Sequence, residues 1–174
     1  MAAVALGSVV RAATPEGDPP SGSPESTEPA YGSYDWPVRG PIIRPFESPA
    51  HPYAAGHRGI DIGAPFGTPV QAAAPGLVAF AGSVGGSLFV SVDHPDGIRT
   101  TYSWLSSIAV RRGDRVERGD ILGATGSGHP GSPRTHLHFG ARIGDLYIDP
   151  MLLLGGGSLV GLIRLAPLDA EEEA

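Results

Sequence analysis

Residues 134 to 143, RTHLHFGARI, carry the pattern that decides the fold. In an extended strand successive side chains point to opposite faces, so His136 and His138 share one face of this segment while Leu137 and Phe139 share the other. One face is therefore apolar and suited to packing on a core, whereas the other presents two imidazoles. The pattern predicts a β-strand that packs on one side and can carry a polar site on the other.

The chain around this segment is predicted to be β from Trp36 to about Leu154. Its strand-like segments are short, rich in β-branched and aromatic residues, and separated by glycine and proline. They include TPVQAA, GLVAFAG, SLFVSVDH and IRTTYSWLS, at residues 68–73, 76–82, 87–94 and 98–106. The phrase RRGDRVERGDILG, residues 111–123, predicts two tight turns around a short strand. We therefore predict a mostly β domain over residues 36–154, with an antiparallel sheet of the barrel or sandwich type.

The two ends of the chain differ in composition from this domain. Residues 1–13, MAAVALGSVVRAA, have the apolar run and small-residue cleavage site of a secretory signal without its basic start, which predicts a truncated signal segment. Residues 14–35 consist largely of Pro, Gly, Ser and Glu and are predicted to be a disordered linker. Residues 155–174 form a tail that begins with glycines and ends in an acidic run, and its apolar piece, 159–165, is predicted to pack as an extra strand.

The composition argues against several classes of function. The formal net charge is −6, and the basic residues, all of them arginine, form no long run, so no nucleic-acid partner is expected. The apolar run near the start is too short to span a membrane, and no membrane span is predicted. Because the 174 residues include no cysteine, any transition metal must be held by histidine and carboxylate side chains.

A second polar pair lies in GHRGIDIGAPFGTPV, residues 56–70. If GIDIG is extended, Ile60 and Ile62 face the core and Asp61 turns to the other side, with His57 just upstream. A structural alternative is that Asp61 accepts backbone hydrogen bonds in a turn and His57 lies at the surface. Together with one histidine of the HLH pair, however, the two residues make a two-histidine, one-carboxylate set, which is typical of a zinc site with a fourth position open for water.

Four segments in this order, HRGID, GTPVQAAAPGLV, GDRVERGDILG and HLHFG, resemble the lysostaphin-type (LytM-like) zinc metalloendopeptidases of peptidoglycan. The resemblance implies the β fold of that peptidase domain, a duplicated hybrid motif. It implies one zinc ion with His57, Asp61 and His138 as ligands, and His136 as a catalytic group beside the metal-bound water. It also implies peptidoglycan stem or cross-bridge peptides as the substrate and a secreted or cell-envelope location, and it identifies no partner protein.

The chain departs from this family at one catalytic position. The family carries a further histidine in a Tyr-x-His-Leu strand, whereas this chain has Trp104 at that place, with Tyr102 and Leu105 retained. Tryptophan cannot accept a proton, and general acid–base assistance contributes about 10²–10⁴ in rate. Trp104 is then a packing residue or a stacking platform for substrate. His129 is a possible substitute, although a histidine in such a loop of glycines and prolines is more often exposed to solvent.

These residues predict a zinc-dependent endopeptidase with a modified centre. The alternative is a weak or inactive zinc-bound module that binds cell-wall peptides or activates a hydrolase, which Trp104 favours and the retention of the other four site residues disfavours. The hairpins around GDRVERGDILG also resemble those of biotinyl or lipoyl carrier domains. Those domains need an attachment lysine, and this chain contains none.

Overall fold

The computed structural model describes residues 32–49, 51 and 54–155 of the chain. These residues form ten strands and one short 3-10 turn: β1 (Ile42–Arg44), β2 (Ile60–Gly63), β3 (Pro69–Gln71), β4 (Gly76–Val84), β5 (Ser87–Asp93), β6 (Ile98–Ile108), β7 (Arg115–Val116), β8 (Ile121–Thr125), β9 (His136–Ile143), β10 (Leu146–Ile148) and the turn Pro150–Leu152. The predicted signal segment, most of the predicted linker and the predicted extra strand lie outside the described residues. In the described part of the chain, no helix is long and apolar enough to cross a membrane.

The ten strands belong to one antiparallel sheet, which confirms the predicted mostly β, antiparallel fold. The main path of the sheet runs β1-β2-β9-β6-β5-β4-β7, with β10 added beside β9 and β8 paired to both β6 and β3. β6 is the longest strand, with 11 residues, and it contacts three neighbours, β5, β8 and β9. The sheet therefore branches around β6.

The segment RRGDRVERGDILG forms the predicted pair of turns around β7. The Arg111 amide donates to the Asp114 carboxylate, and the Glu117 amide donates to the Asp120 carboxylate, both at 2.8 Å. The glycine before each aspartate has a positive φ, 92° in the first turn and 88° in the second, which glycine adopts without a steric penalty. The same turn chemistry is thus used twice, and the two residues between the turns pair with β4.

The pairing of β2 with β9 places the two motifs of the sequence side by side. The register sets Asp61 opposite His138 and Ile62 opposite Leu137. On the inner face Ile60, Ile62 and Leu137 are 0% exposed and belong to one core cluster. The alternation predicted for both segments is therefore present in the structure, and it leaves the polar side chains of both strands on the opposite face.

The two ends of the described chain meet beside the core. Tyr34 pairs with Leu154 in an isolated parallel bridge, and the Gly155 amide donates to the Tyr34 carbonyl at 2.7 Å. The Tyr34 side chain is 1% exposed, and its hydroxyl donates to the Asp96 carboxylate. Packing therefore extends two residues N-terminal of Trp36.

β6 changes partner at a bulge centred on Trp104. Up to Ser103 the strand pairs with β9, and from Leu105 onward it pairs with β8. On its other side β5 faces Ser103 and Leu105 but skips Trp104. Trp104 is also the single non-glycine residue with a positive φ, 65°, within the described ranges. An extra residue of this kind bends a strand and redirects its side chain, so the bulge turns Trp104 away from the regular alternation of β6.

We expect Leu137→Ala to lower the free energy of unfolding by about 2–5 kcal/mol, because it opens a cavity under the β2–β9 pair. Urea unfolding in the presence of a chelator measures this without any contribution from bound metal. Leu146→Ala is the control, since Leu146 is 69% exposed, and its effect should stay within about 0.5 kcal/mol. Equal effects of the two substitutions would contradict the assignment of Leu137 to the core.

The backbone at position 104 allows a second stability measurement. Trp104→Ala and Trp104→Gly both remove the ring, but only alanine keeps the steric cost of a left-handed φ, so Trp104→Gly should be more stable by about 1 kcal/mol. The neighbouring exposed strand residue Ser106 provides the control pair, and there alanine should be more stable than glycine. If the alanine variant were more stable than the glycine variant at position 104 as well, the backbone of Trp104 would not be strained.

Candidate metal centre

Three side chains meet where β2 and β9 lie side by side. Asp61 and His138 are cross-strand neighbours, and His57 approaches from the segment before β2, which pairs with Glu47 through two backbone hydrogen bonds. The Asp61 Oδ1 atom lies 2.8 Å from His138 Nδ1 and 3.1 Å from His57 Nε2. The two imidazole nitrogens are 3.0 Å apart. The residues predicted as metal ligands are therefore brought together at one point.

The geometry of these three atoms fits a tetrahedral zinc ion. Zinc bonds of about 2.0–2.1 Å place neighbouring ligand atoms about 3.3 Å apart, slightly more than the 2.8–3.1 Å found between them here. The His57 Nδ1 atom lies 2.7 Å from the Pro45 carbonyl, which holds a proton on Nδ1 and leaves a lone pair on Nε2 toward the cluster. Two nitrogens and one carboxylate oxygen form a donor set that zinc accepts.

Asp61 supplies the negative charge of the site. Its side chain is 2% exposed, and four imidazoles lie within ion-pair distance of it, those of His57, His129, His136 and His138. Burial raises the pKa of the Asp61 carboxyl, but the hydrogen bond with His138 and the charges of the surrounding imidazoles outweigh burial and lower the pKa to about 2. Asp61 is therefore ionised at neutral pH and can bind a cation.

Gly59 makes the close approach of the two motifs possible. A Cβ atom at this position would lie 2.4 Å from the Phe139 carbonyl oxygen and 2.8 Å from His138 Nε2. Both distances are too short for a side chain, because one of the obstructing groups is backbone and the other is a ring held in the site. The segment HRGID therefore needs glycine at its third position for His57 and Asp61 to reach His138.

His136 lies beside this cluster and is completely buried. Its Nδ1 atom is 2.8 Å from the Arg134 carbonyl, so Nε2 carries the lone pair and points toward Asp61, whose Oδ1 atom is 3.8 Å away. The loop before β9 covers the ring. At Gly128, which has a φ of 84°, a Cβ atom would lie 2.2 Å from the His136 Cε1 atom.

His129 reaches into the site from that same loop. Its Nε2 atom lies 3.3 Å from Asp61 Oδ2, and its ring centroid is 4.8 Å from that of His136. Its side chain is 29% exposed, which is more buried than we expect for a loop histidine flanked by glycine and proline. The structure therefore places the possible substitute histidine next to the predicted ligand Asp61.

Trp104 stands next to His129. The two ring centroids are 6.3 Å apart with the rings steeply tilted, and on the other side Phe89 packs against Trp104 at 5.6 Å. Tyr102 and Leu105, which flank the bulge, are buried in the core, and the Tyr102 hydroxyl accepts the Ala73 amide. The retained residues of the Tyr-x-His-Leu pattern are thus structural, and the position between them faces the site.

A groove passes over the cluster. On one side a cavity of about 460 Å³ is lined by His57, His138 and Trp104 together with other residues of β1, β5, β6, β9, β10 and nearby loops: Arg44, Gly56, Arg58, Phe89, Thr101, Ser103, His129, Gly140 and Tyr147. On the other side a cavity of about 610 Å³ lies between β1 and the loop before β9, and Asp61 and His129 line it as well. His129 borders both cavities.

Several residues that line this groove were not predicted from the sequence. Arg58 follows a predicted ligand directly, and its guanidinium lies 5.8 Å from the Tyr147 ring centroid. Phe89 lies on β5, and no pattern in that strand distinguishes it from a core residue. The position of Arg58 beside His57 is the one signal that could have marked a groove residue.

Two further histidines lie away from the centre. His94 follows the end of β5 and is buried, with Nδ1 at 2.7 Å from the Pro75 carbonyl and Nε2 at 2.8 Å from the Thr100 hydroxyl. Burial lowers the pKa of His94. His51 is exposed. Neither belongs to the site.

Comparison with known proteins gives a consistent picture. The profile of peptidase family M23 matches residues 55–150. The DD-carboxypeptidase/endopeptidase Mpg of Neisseria meningitidis is 40% identical over 97 residues, which cover 55% of this chain and 22% of that protein. Mycobacterial relatives are 38% identical over 143 residues, and the chain spans about half of their length, 55%.

Solved structures agree with the sequence comparison. Lysostaphin, an antimicrobial peptidase from Staphylococcus simulans, superposes with a TM-score of 0.62 at 29% identity, covering 80% of this chain and 61% of lysostaphin. A zinc-containing peptidase from Vibrio cholerae gives a TM-score of 0.60 at 26% identity, covering 70% of this chain and 40% of that one. Since the profile spans more than half of the residues and the same fold recurs in these peptidases, the chain belongs to peptidase family M23, the lysostaphin-type family of zinc-dependent peptidoglycan hydrolases.

Proposed function

We propose that the chain is a zinc-dependent endopeptidase that hydrolyses the stem or cross-bridge peptides of peptidoglycan, with a modified catalytic centre. The observation that carries this proposal is the convergence of His57 Nε2, Asp61 Oδ1 and His138 Nδ1 within 3.1 Å of one another. Three ligands leave one position of a tetrahedral ion open, which is the arrangement of catalytic rather than structural zinc sites. Zinc held there would polarise the scissile carbonyl and make a water molecule more acidic.

His136 is the proposed catalytic base. The Arg134 carbonyl keeps the proton on Nδ1, so Nε2 is the atom that can take a proton from the attacking water and pass it to the leaving amine. Complete burial and the contact with Gly128 hold the ring in one orientation. A base with a fixed orientation loses no free energy to reorganisation during the reaction.

His129 is proposed to replace the imidazole that Trp104 does not provide. Its ring contacts those of both Trp104 and His136, at centroid distances of 6.3 Å and 4.8 Å. Trp104 then acts as a positioning residue, because its ring packs against His129 and limits where the loop histidine can move. The position at which the family carries a histidine thus provides a wall for His129 in this chain.

The groove is proposed to bind the peptide in an extended form on both sides of the scissile bond. Phe89 and Trp104 offer apolar surface, and Arg58 and Arg44 add positive charge to the same cavity. Peptidoglycan stem peptides carry free carboxylates, which arginine binds well. The Neisseria relative is named a DD-carboxypeptidase/endopeptidase, which supports peptide hydrolysis as the reaction. A substrate of this kind implies a location outside the cytoplasm.

A second candidate function is a zinc-bound module that binds cell-wall peptides or activates a hydrolase without cleaving. The contact between Trp104 and Phe89 favours it, because two aromatic rings in a groove can retain a ligand without any proton transfer. The presence of two imidazoles, His129 and His136, next to Asp61 favours the enzyme.

The metal site is tested by substitution and elemental analysis. After refolding with excess zinc and extensive dialysis, we expect about one zinc per chain in the wild type and a loss of that ion in His57→Ala, Asp61→Ala and His138→Ala. His136→Ala should keep the ion, because His136 is not one of the three ligands. A wild-type chain that retains no zinc would end the proposal.

The catalytic assignment is tested by hydrolysis of soluble peptidoglycan fragments. We expect slow, chelator-sensitive cleavage by the wild type and a decrease of about 10²–10⁴ in both His136→Ala and His129→Ala, since each removes an imidazole beside the reacting atoms. Trp104→His should raise turnover, and in the His129→Ala background it should restore part of the loss. Histidine also tolerates a positive φ better than tryptophan, so the backbone permits this change. His51→Ala is the control and should have no effect.

Two results would change the assignment. Full activity of His129→Ala would remove His129 from the catalytic centre. Zinc-loaded protein that cleaves no wall fragment, together with weaker retention of Trp104→His on purified cell wall, would favour the binding module instead.

A further inference from the structure

The carboxylate of Asp61 is shared by two clusters of metal-binding side chains. One consists of His57, Asp61 and His138, and the other of Asp61, His129 and His136, and the ligand atoms in each cluster lie within 4.8 Å of one another. In the second cluster His129 Nε2 approaches Asp61 Oδ2 at 3.3 Å, whereas His138 approaches Oδ1. Oδ1 thus faces His57 and His138 and, at 3.8 Å, His136, whereas Oδ2 faces His129.

We infer that the second cluster is a second, weaker site for a divalent transition-metal ion, so that the centre can hold two ions bridged by Asp61. Carboxylate bridges of this kind join pairs of ions about 3.5–4 Å apart in hydrolytic enzymes. The two-imidazole, one-carboxylate donor set of the second site is the same as that of the first, and it suits zinc, cobalt or nickel rather than calcium or magnesium.

The tautomers of both histidines agree with this role. The Nδ1 atoms of His129 and His136 lie 3.2 Å and 2.8 Å from the backbone carbonyls of Pro130 and Arg134. A proton held on Nδ1 by a carbonyl leaves the lone pair on Nε2, and the Nε2 atoms of both residues face Asp61. His57 is oriented in the same way by the Pro45 carbonyl. Backbone carbonyls therefore prepare three of the four imidazoles around Asp61 to bind through Nε2.

The distances predict that the second site binds more weakly than the first. His136 Nε2 is 3.8 Å from Asp61 Oδ1, longer than the separations in the first cluster. The His129 amide also approaches His136 Nε2 at 3.4 Å, a weak contact that an ion must displace. A second ion is repelled by the first at a separation of about 4 Å and shares its only carboxylate. We expect the second dissociation constant to be at least about tenfold higher than the first.

Occupancy of the second site has a consequence that rests on the proposed function. An ion bound to Nε2 of His129 and Nε2 of His136 occupies both lone pairs that the proposed mechanism uses for proton transfer. Hydrolysis should therefore rise as the first site fills and fall as the second site fills. The centre would then be active only over a limited range of free zinc concentration.

Calorimetric titration of the metal-free, full 174-residue chain with zinc tests the site independently of activity. We expect two equivalents in the wild type, the second at least about tenfold weaker, and loss of the second equivalent alone in His129→Gln. Titration with cobalt should give a second set of visible absorption bands that this variant lacks. His51→Gln is the matched control for binding to an exposed histidine and should retain both equivalents.

The outcomes separate this inference from the proposed function. One equivalent in the wild type even when free zinc exceeds the first dissociation constant about 10⁴-fold, or a second equivalent that persists in His129→Gln, would overturn the second site while leaving the first intact. Absence of the first equivalent would overturn the proposed zinc enzyme itself. Wild-type hydrolysis that stays constant while calorimetry shows the second site filling would overturn its inhibitory effect.

Discussion

The register between β2 and β9 is the constraint on which the rest of the site depends. Because Asp61 stands opposite His138, the same pairing that places Ile60 and Ile62 in the core also places the carboxylate against an imidazole. A shift of one residue would turn the apolar side chains of one strand outward and separate these two polar groups at once. The core and the candidate metal centre are therefore specified by the same hydrogen bonds, and packing of the apolar face fixes the register of the polar face.

The bulge in β6 completes the centre in a different way. In a regular strand the side chains after Tyr102 would continue to alternate between the two faces of the sheet. The extra residue at Trp104 interrupts this alternation at the point where β6 stops pairing with β9 and begins to pair with β8. The local cost of a left-handed φ on a bulky residue is met by burial of Tyr102 and Leu105 on either side. The bulge thus fixes the place of the Trp104 side chain beside His129, at the edge of the candidate metal centre.

Much of this arrangement could be predicted from the sequence because it follows from alternation. The faces of Leu137 and His138, and of Ile62 and Asp61, follow from a period of two, and the strands around RRGDRVERGDILG follow from turn residues. The position of His129 could not be predicted, because its contact with Asp61 joins residues 68 apart through a loop of no regular period. The bulge at Trp104 could not be predicted from the sequence either, since it arises where β6 exchanges partner strands and not from a conformational preference of the local residues.

The residues of the HRGID segment around Gly59 have separate structural roles. The positions of His57, Gly59 and Asp61 leave no freedom, because ligand geometry and the missing Cβ atom determine all three, and Ile60 is enclosed by the core. Arg58 lines the groove beside His57 but is not one of the candidate ligands. Divergence among duplicated copies of such a gene can therefore alter the lining of the groove through this one codon, while the candidate ligands and the core residue in the same segment stay unchanged.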